Sequence, residues 1–248
     1  MIVYMDGEKY VPGTYARKRP DAAQLASRFI KEWDEKRLEG KAEVSRHEMP
    51  PAISFSRKIG VGALEIADIV AEKTGCRVVD RELLEHIAGE AQLNKKTVAL
   101  FDERYPGLLE ELLSMALTEK AFIESDYARH LFSAVFFMAS SESTIFVGRG
   151  THLILPRDRV LAVRLISSKE HRVKRLARIL MVDERESRSK LEQVDKEQRD
   201  FFKKVYGKRD ASPYEFDLVI NCDYLGEPQW AAEIIATAFR EKFALLNP

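Results

Sequence analysis

The sequence predicts an α/β protein: a three-layer α/β/α, doubly wound parallel sheet of about five strands, with a small N-terminal hairpin-and-helix extension. Three observations lead there. Beyond residue 50, five short apolar runs alternate with longer stretches whose apolar residues recur at the helical period, the pattern of βαβ crossovers around a buried sheet. No internal repeat or low-complexity tract interrupts that alternation. A chain of 248 residues with 45% apolar composition also removes roughly 70–75% of its unfolded surface from water on folding, so it needs no staple.

The elements follow in order. Asp6-Gly7, between Ile2–Met5 and Glu8–Val11, suits a two-residue hairpin because Asp-Gly accepts the positive φ angles of a type I′ turn. A basic loop (Arg17, Lys18, Arg19, Pro20) precedes Asp21, a cap for a helix with Leu25, Phe29, Ile30 and Trp33 on one face. Residues 36 to 51 are charged and end in Pro50-Pro51, a linker signature that closes an extension over residues 1–50. That extension reads as an appendage packed on the main domain or as a module with its own function. Strands are predicted at Ala52–Ser56, Arg77–Val79, Thr144–Gly148, Val160–Ile166 and Phe216–Asn221. Helices are predicted at Gly62–Thr74, Arg81–Gln92, Gly107–Ser140 (broken at least once), Ser168–Met181, Asp183–Tyr206 and Pro228–Phe243. Phe132, Phe136, Phe137 and Met138 read as helix core.

Composition limits the function. Forty basic residues balance forty acidic ones, so a nucleic acid or an anionic membrane meets no global attraction. The longest apolar patch, around Leu131–Ala139, is far short of the roughly 20 residues a bilayer demands. Cys76 and Cys222 have neither a metal-ligand nor a disulfide-framework spacing, and read as small buried groups in a reducing cytoplasm. His86, His130 and His152 form no constellation.

Chemistry concentrates at strand ends, since ligands of open parallel sheets bind beyond the carboxyl ends of the strands. The first such end reads Ile53-Ser-Phe-Ser-Arg-Lys-Ile-Gly-Val-Gly62-Ala-Leu-Glu. It runs into a helix, where free N–H groups and the positive dipole end suit a phosphate. The match to a P-loop is partial: Ala63 stands in the lysine position and Leu64 in the hydroxyl position. Alone, Gly60 and Gly62 are as consistent with plain turn geometry.

Four segments in this order and spacing resemble the cytidylate kinase-like family, a branch of the P-loop nucleoside monophosphate kinases. They are the loop just quoted, Val78-Val-Asp-Arg-Glu-Leu-Leu, Ile145-Phe-Val-Gly-Arg-Gly150, and Asp195-Lys-x-x-Arg199 followed by Tyr214-Glu-Phe-Asp-Leu-Val-Ile-Asn221. The likeness runs from about Ile53 to Phe243. It implies a P-loop kinase-like domain over 51–248 with a helical lid around 168–209, binding ATP and Mg²⁺ and passing the γ-phosphoryl group to a nucleoside monophosphate such as CMP. The chain departs from the family's own loop, where Val61 replaces a serine, Ala63 a glycine and Leu64 an arginine.

The resemblance also distributes roles. Ser56, Arg57, Lys58, Gly60, Val61, Gly62, Ala63 and Leu64 would bind the ATP phosphates, with Arg57 and Lys58 supplying the missing cation; solvated loop cations are the competing reading. Asp80, Arg81, Arg149, Asp195 and Arg199 would hold the acceptor. By spacing alone, Asp80 is a helix cap, and Asp195–Arg199 is a surface ion pair of a few tenths of a kcal/mol. Arg149, between two glycines, has little local reason to be there. Ser167 with Glu170 suggests a capping box before a helix where Arg172, Arg175 and Arg178 share a row; these would be lid arginines, and Arg57, Arg172 and Arg175 catalytic. Residues 172–209 hold 13 basic and 7 acidic residues against 27 and 33 elsewhere; a solvated helix face is the plainer reading. A metal would fall to Asp80, to Glu65 or to outer-shell water.

A second function is a catalytically impaired nucleotide sensor on the same fold, which the substitutions at Ala63 and Leu64 favour. An RNA-contacting role for the basic stretch lacks interleaved aromatics. Small-molecule nucleotides are the expected partners.

Overall fold

A computed structural model describes residues 3–5, 8–10, 22–38, 49–89, 126–208 and 210–244, with side chains for all of these except 3–5, 8–10 and 33–38. The Asp6-Gly7 turn, the Arg17–Pro20 loop, Asp21, the side chain of Trp33 and most of the linker lie outside the described residues, as do residues 90–125 and Arg209.

Two short strands, β1 (Val3–Met5) and β2 (Glu8–Tyr10), pair antiparallel with Met5 opposite Glu8, the register a two-residue turn imposes. Helix α1 (Ala22–Leu38) follows. The main sheet has β3 (Ala52–Arg57), β4 (Arg77–Val79), β5 (Thr144–Val147), β6 (Val160–Ile166) and β7 (Leu218–Asn221) in the order β4-β5-β3-β6-β7. All four pairings are parallel. The chain starts at the centre, goes out to one edge and then to the other, so the winding reverses at the carboxyl end of β3.

Alternation decides which residue faces which layer. Ile53, Phe55, Ile145, Val147, Leu161, Val163, Leu165 and Ile220 pack with α2 (Ala63–Thr74) and α7 (Pro228–Phe243). Ala52, Val79, Phe146 and Val160 face α1, α3 (Arg81–Gly89) and α4 (Asp126–Ala139), where Phe132, Phe136, Phe137 and Met138 form the expected core. The helix α1 belongs to this layer: Phe29 lies 6.0 Å from the Phe137 ring, and Glu32 pairs with Arg77 at 2.6 Å. A third, smaller cluster joins Ile59 to Val173, Leu176, Leu180 and Leu191 of a helical hairpin, α5 (Lys169–Leu180) and α6 (Glu184–Tyr206).

Two local expectations are corrected. The cap of α5 is Ser168, whose hydroxyl accepts the His171 N–H at 3.2 Å, and the Ser167–Glu170 box is not formed. Ser167 donates instead to Asp223 at 2.6 Å, a carboxylate delivered by the loop after β7 that also accepts the Ser168 amide. The last strand begins at Leu218 because Pro213–Glu215 forms one 3₁₀ turn closed by a Ser212–Glu215 capping box. His152 is buried beside Glu215 (3.4 Å) and Phe216, and both cysteines are free thiols whose pKa burial raises.

Candidate functional site

Three arginines meet beyond the strands because three strand ends meet there. Arg57 is the last residue of β3, Arg81 opens α3 after β4, and Arg149 follows β5. Asp80, between β4 and α3, accepts the Leu83 amide at 3.0 Å, so it serves as the cap of α3 and thereby holds Arg81 in place. Gly148, Arg149 and Gly150 are all left-handed, with φ of 101°, 56° and 70°. Only Gly fits the last position, where a Cβ would stand 2.7 Å from the Tyr206 ring.

Arg57, Arg81 and Arg149 line one cavity of about 110 Å³, together with Gly148, Gln198 and Phe201. The Arg149 side chain is 12% exposed, pairs with Glu85 and lies 4.0 Å over the Phe201 ring; Arg81 is 3.9 Å from the same Glu85. Burial, with Arg81 and Arg57 beside it, brings the Arg149 guanidinium down to about 9. Three guanidinium groups here face two carboxylates, the paired Glu85 and the exposed Glu197, a formal excess of positive charge. A phosphate would answer it.

The loop after β3 meets different surroundings. Gly60 and Gly62 are left-handed, and no side-chain hydrogen bond caps the start of α2. Above them lies the α5–α6 hairpin. Arg172 was expected as a lid cation free to neutralise phosphate; its side chain is instead 4% exposed and holds both oxygens of Asp195 at 3.0–3.1 Å. It also donates to the Ile59 carbonyl at 3.1 Å. Asp195 is therefore engaged across the hairpin, neither with Arg199 nor with the cavity of the three arginines. Arg175 pairs with Glu65 at 2.6 Å, and its guanidinium lies 3.2 Å from where a Gly62 Cβ would be. Arg178 is exposed on α5.

Ala63, Leu64 and Val61 are buried in the core, which explains their apolar character and leaves only their backbone for a ligand. Lys58, Ser56 and Arg199 border a second cavity of about 180 Å³. Arg57, Gln198 and Phe202 form the wall common to both cavities, and Gln198 donates to the Arg57 carbonyl at 2.7 Å. Of the residues singled out from sequence, the structure thus gathers Arg57, Arg81 and Arg149 at one cavity and Ser56, Arg57, Lys58, Asp195 and Arg199 at the next. Sequence reasoning missed Glu85, Gln198, Phe201 and Tyr206. Glu85 stands four residues after Arg81, a visible helical spacing; the other three act over separations of more than fifty residues and leave no local signal.

Comparison with known proteins is consistent with this geometry. The model of a family described as cytidylate kinase-like matches residues 52–224. Among solved structures, an uncharacterized protein from Eubacterium ventriosum ATCC 27560 is 18% identical with a TM-score of 0.56, over 77% of this chain and 98% of that one. It supports the fold alone. Shikimate kinase from Bacteroides thetaiotaomicron is 14% identical, with a TM-score of 0.39 over 77% of this chain and 97% of its own. TT1252 from Thermus thermophilus is 16% identical, with a TM-score of 0.38 over 76% and 97%. No curated protein matches.

Proposed function

The chain belongs to the cytidylate kinase-like family, and from that premise we propose that it phosphorylates a nucleoside monophosphate, a pyrimidine nucleotide such as CMP, at the expense of ATP. The observation that carries the reading is the Arg57–Arg81–Arg149 cavity, where guanidinium groups from three strand ends converge, with Glu85 paired to Arg149 and the exposed Glu197 on the cavity wall. Arg81 and Arg149 hold the acceptor phosphate. The ATP phosphates lie along Ser56–Leu64 at the uncapped start of α2, with Arg175 beside them in place of the absent lysine. Arg57 borders both cavities and so faces the migrating group. A bond forms from an acceptor phosphate oxygen to the γ-phosphorus, and the β–γ bridging bond breaks with its electrons going to ADP. The protein contributes alignment and guanidinium charge, the two things phosphoryl transfer needs most. Arg172 and Asp195 hold the loop and hairpin together.

A divalent cation does not fit the residues present as protein ligands. Among the described residues no three His, Cys, Asp or Glu side chains converge. Leu64 is core, Glu65 is taken by Arg175 and Asp80 caps α3. No step is routed through a protein-held metal. Among the described residues no helix is long and apolar enough to cross a membrane; a cytoplasmic location remains part of the proposal.

One observation favours the second reading, a nucleotide sensor. Ile59 is fully buried under α5 and α6, which fastens the hairpin onto the loop. A coupled ATP-consumption assay against the common nucleoside monophosphates separates the two. Turnover with a pyrimidine monophosphate, lost on Arg149→Ala and Arg57→Ala, is the expected result. Calorimetric binding of ATP and CMP with no turnover for any acceptor establishes the sensor.

A further inference from the structure

Arg149 sits in a conformation that needs an explanation. A non-glycine residue at φ 56° persists only where its surroundings over-determine it. Two residues at the end of α6 do so, and neither is adjacent to Arg149 in sequence. The Tyr206 hydroxyl donates to the Arg149 carbonyl, and its ring fills the space that a side chain at position 150 would need. Tyr206 is fully buried, and burial pushes its phenol above the usual range, so it remains a donor at every working pH. At the other end of Arg149, the Phe201 ring lies flat enough for the guanidinium carbon to stand 4.0 Å from its centroid. The two rings brace each other, with centroids 6.1 Å apart, and Phe202 lies 5.2 Å from Tyr206. Tyr127 of α4 meets Phe201 edge-on at 6.2 Å. Thus one helix end grips both the backbone and the head of this arginine, whose guanidinium also pairs with Glu85 of α3.

We propose that Tyr206 and Phe201 are positioning residues that hold the Arg149 guanidinium toward the acceptor phosphate, Tyr206 by fixing its left-handed backbone and Phe201 by supporting the charged head. This rests on the reading of Arg149 as an acceptor contact. Phe201 does a second thing: the negative face of its ring favours the charged guanidinium, which burial, Arg81 and Arg57 oppose. Because α6 also carries Gln198 on the Arg57 carbonyl and Asp195 on Arg172, the same helix aligns the loop side and the acceptor side of the cleft.

The test is calorimetric titration of the full chain with CMP, across pH 7 to 10.5, for the parent, Arg149→Ala, Tyr206→Phe, Phe201→Leu and Phe201→Trp. Tyr206→Phe keeps the ring and removes only the hydroxyl, and is expected to weaken CMP binding about tenfold. Phe201→Leu is expected to weaken it by a similar factor, and Phe201→Trp to restore it. Loss of CMP binding in Arg149→Ala with parental affinity in Tyr206→Phe and Phe201→Leu overturns the positioning roles and leaves the acceptor site standing. Parental binding in Arg149→Ala overturns the acceptor reading as well. If Tyr206→Phe fails to fold, Phe201→Leu decides alone, by a loss of CMP affinity that Phe201→Trp restores while the unfolding midpoint stays parental.

Discussion

Arg172 and Arg175 on α5, and Arg81 and Arg149 beyond β4 and β5, are the same chemical group in opposite situations. On α5 each guanidinium has a carboxylate of its own, Asp195 or Glu65, and Arg172 adds a carbonyl. Around the 110 Å³ cavity, Arg149 and Arg81 share Glu85, and the charge on Arg149 is held at a cost. Arg172, buried against its own carboxylate, is part of the scaffold, Arg149 with Arg81 and Arg57 beside it suits an anion, and the partly exposed Arg175 lies between the two. The difference separates two kinds of arginine that sequence spacing treats alike.

The comparison breaks first at Arg172. Arg172→Ala leaves Asp195 in a site where its side chain is 13% exposed, and is expected to cost about 3–5 kcal/mol of stability, read as a lower midpoint in thermal or urea unfolding. Replacing both partners together (Arg172→Met with Asp195→Leu) should recover most of that loss, because an apolar pair of similar volume leaves no orphan charge. A single variant as stable as the parent would show that the hairpin is not held this way.

Arg149→Ala should do the reverse. Acceptor affinity falls by about 30- to 1,000-fold, the range for removing one side of a buried, charge-assisted contact. The unfolding midpoint moves far less than for Arg172→Ala, because deleting Arg149 also removes a desolvated cation opposed by Arg81 and Arg57. Equal damage to binding and stability at both arginines would erase the distinction.

The third effect is titration. The Arg149 guanidinium, normally charged far above neutrality, is brought down to about 9 by burial and its two neighbours. The anion binds the charged form, so affinity is flat below pH 8 and declines as pH rises through 9, approaching tenfold per further unit. Arg172, held against Asp195, contributes no such decline. A CMP affinity unchanged from pH 7 to 10.5 would show that Arg149 keeps its proton or does not touch the ligand.

Much of this was legible in the chain before its structure. The five apolar runs became five parallel strands, since buried strands need only hydrophobic continuity and a punctuating turn, both local properties. Arg149 stood out for a local reason too, flanked by two glycines whose own backbones are left-handed. What could not be read is who meets whom across the cleft. The spacing of Arg172 and Arg175 fixes their shared face on α5, yet Asp195, 23 residues away, reaches Arg172 only because the hairpin folds back. Likewise Asp195 and Arg199 have the spacing of a helical ion pair, and tertiary placement overrides it. Ser167 with Glu170 has the spacing of a capping box, yet Asp223 after the neighbouring strand β7 takes the Ser167 hydroxyl and Ser168 caps the helix instead.

Arg175 gives the smallest expected effect and the sharpest view of the boundary between the two kinds of arginine. Its pair with Glu65 is partly exposed, 23% and 35%, so as an ion pair it is worth a few tenths of a kcal/mol at most after solvent screening. A cation at the positive end of α2 gains nothing from the helix dipole; Glu65 alone compensates it, and a phosphate on the uncapped N–H groups would compensate both. Glu65→Gln should therefore leave the unfolding midpoint within about 0.5 kcal/mol of the parent. It should also tighten ATP binding, by about two- to fivefold, since no carboxylate then competes for the guanidinium. A weaker ATP affinity in Glu65→Gln would place Glu65 itself among the ligand contacts and return Arg175 to the scaffold with Arg172.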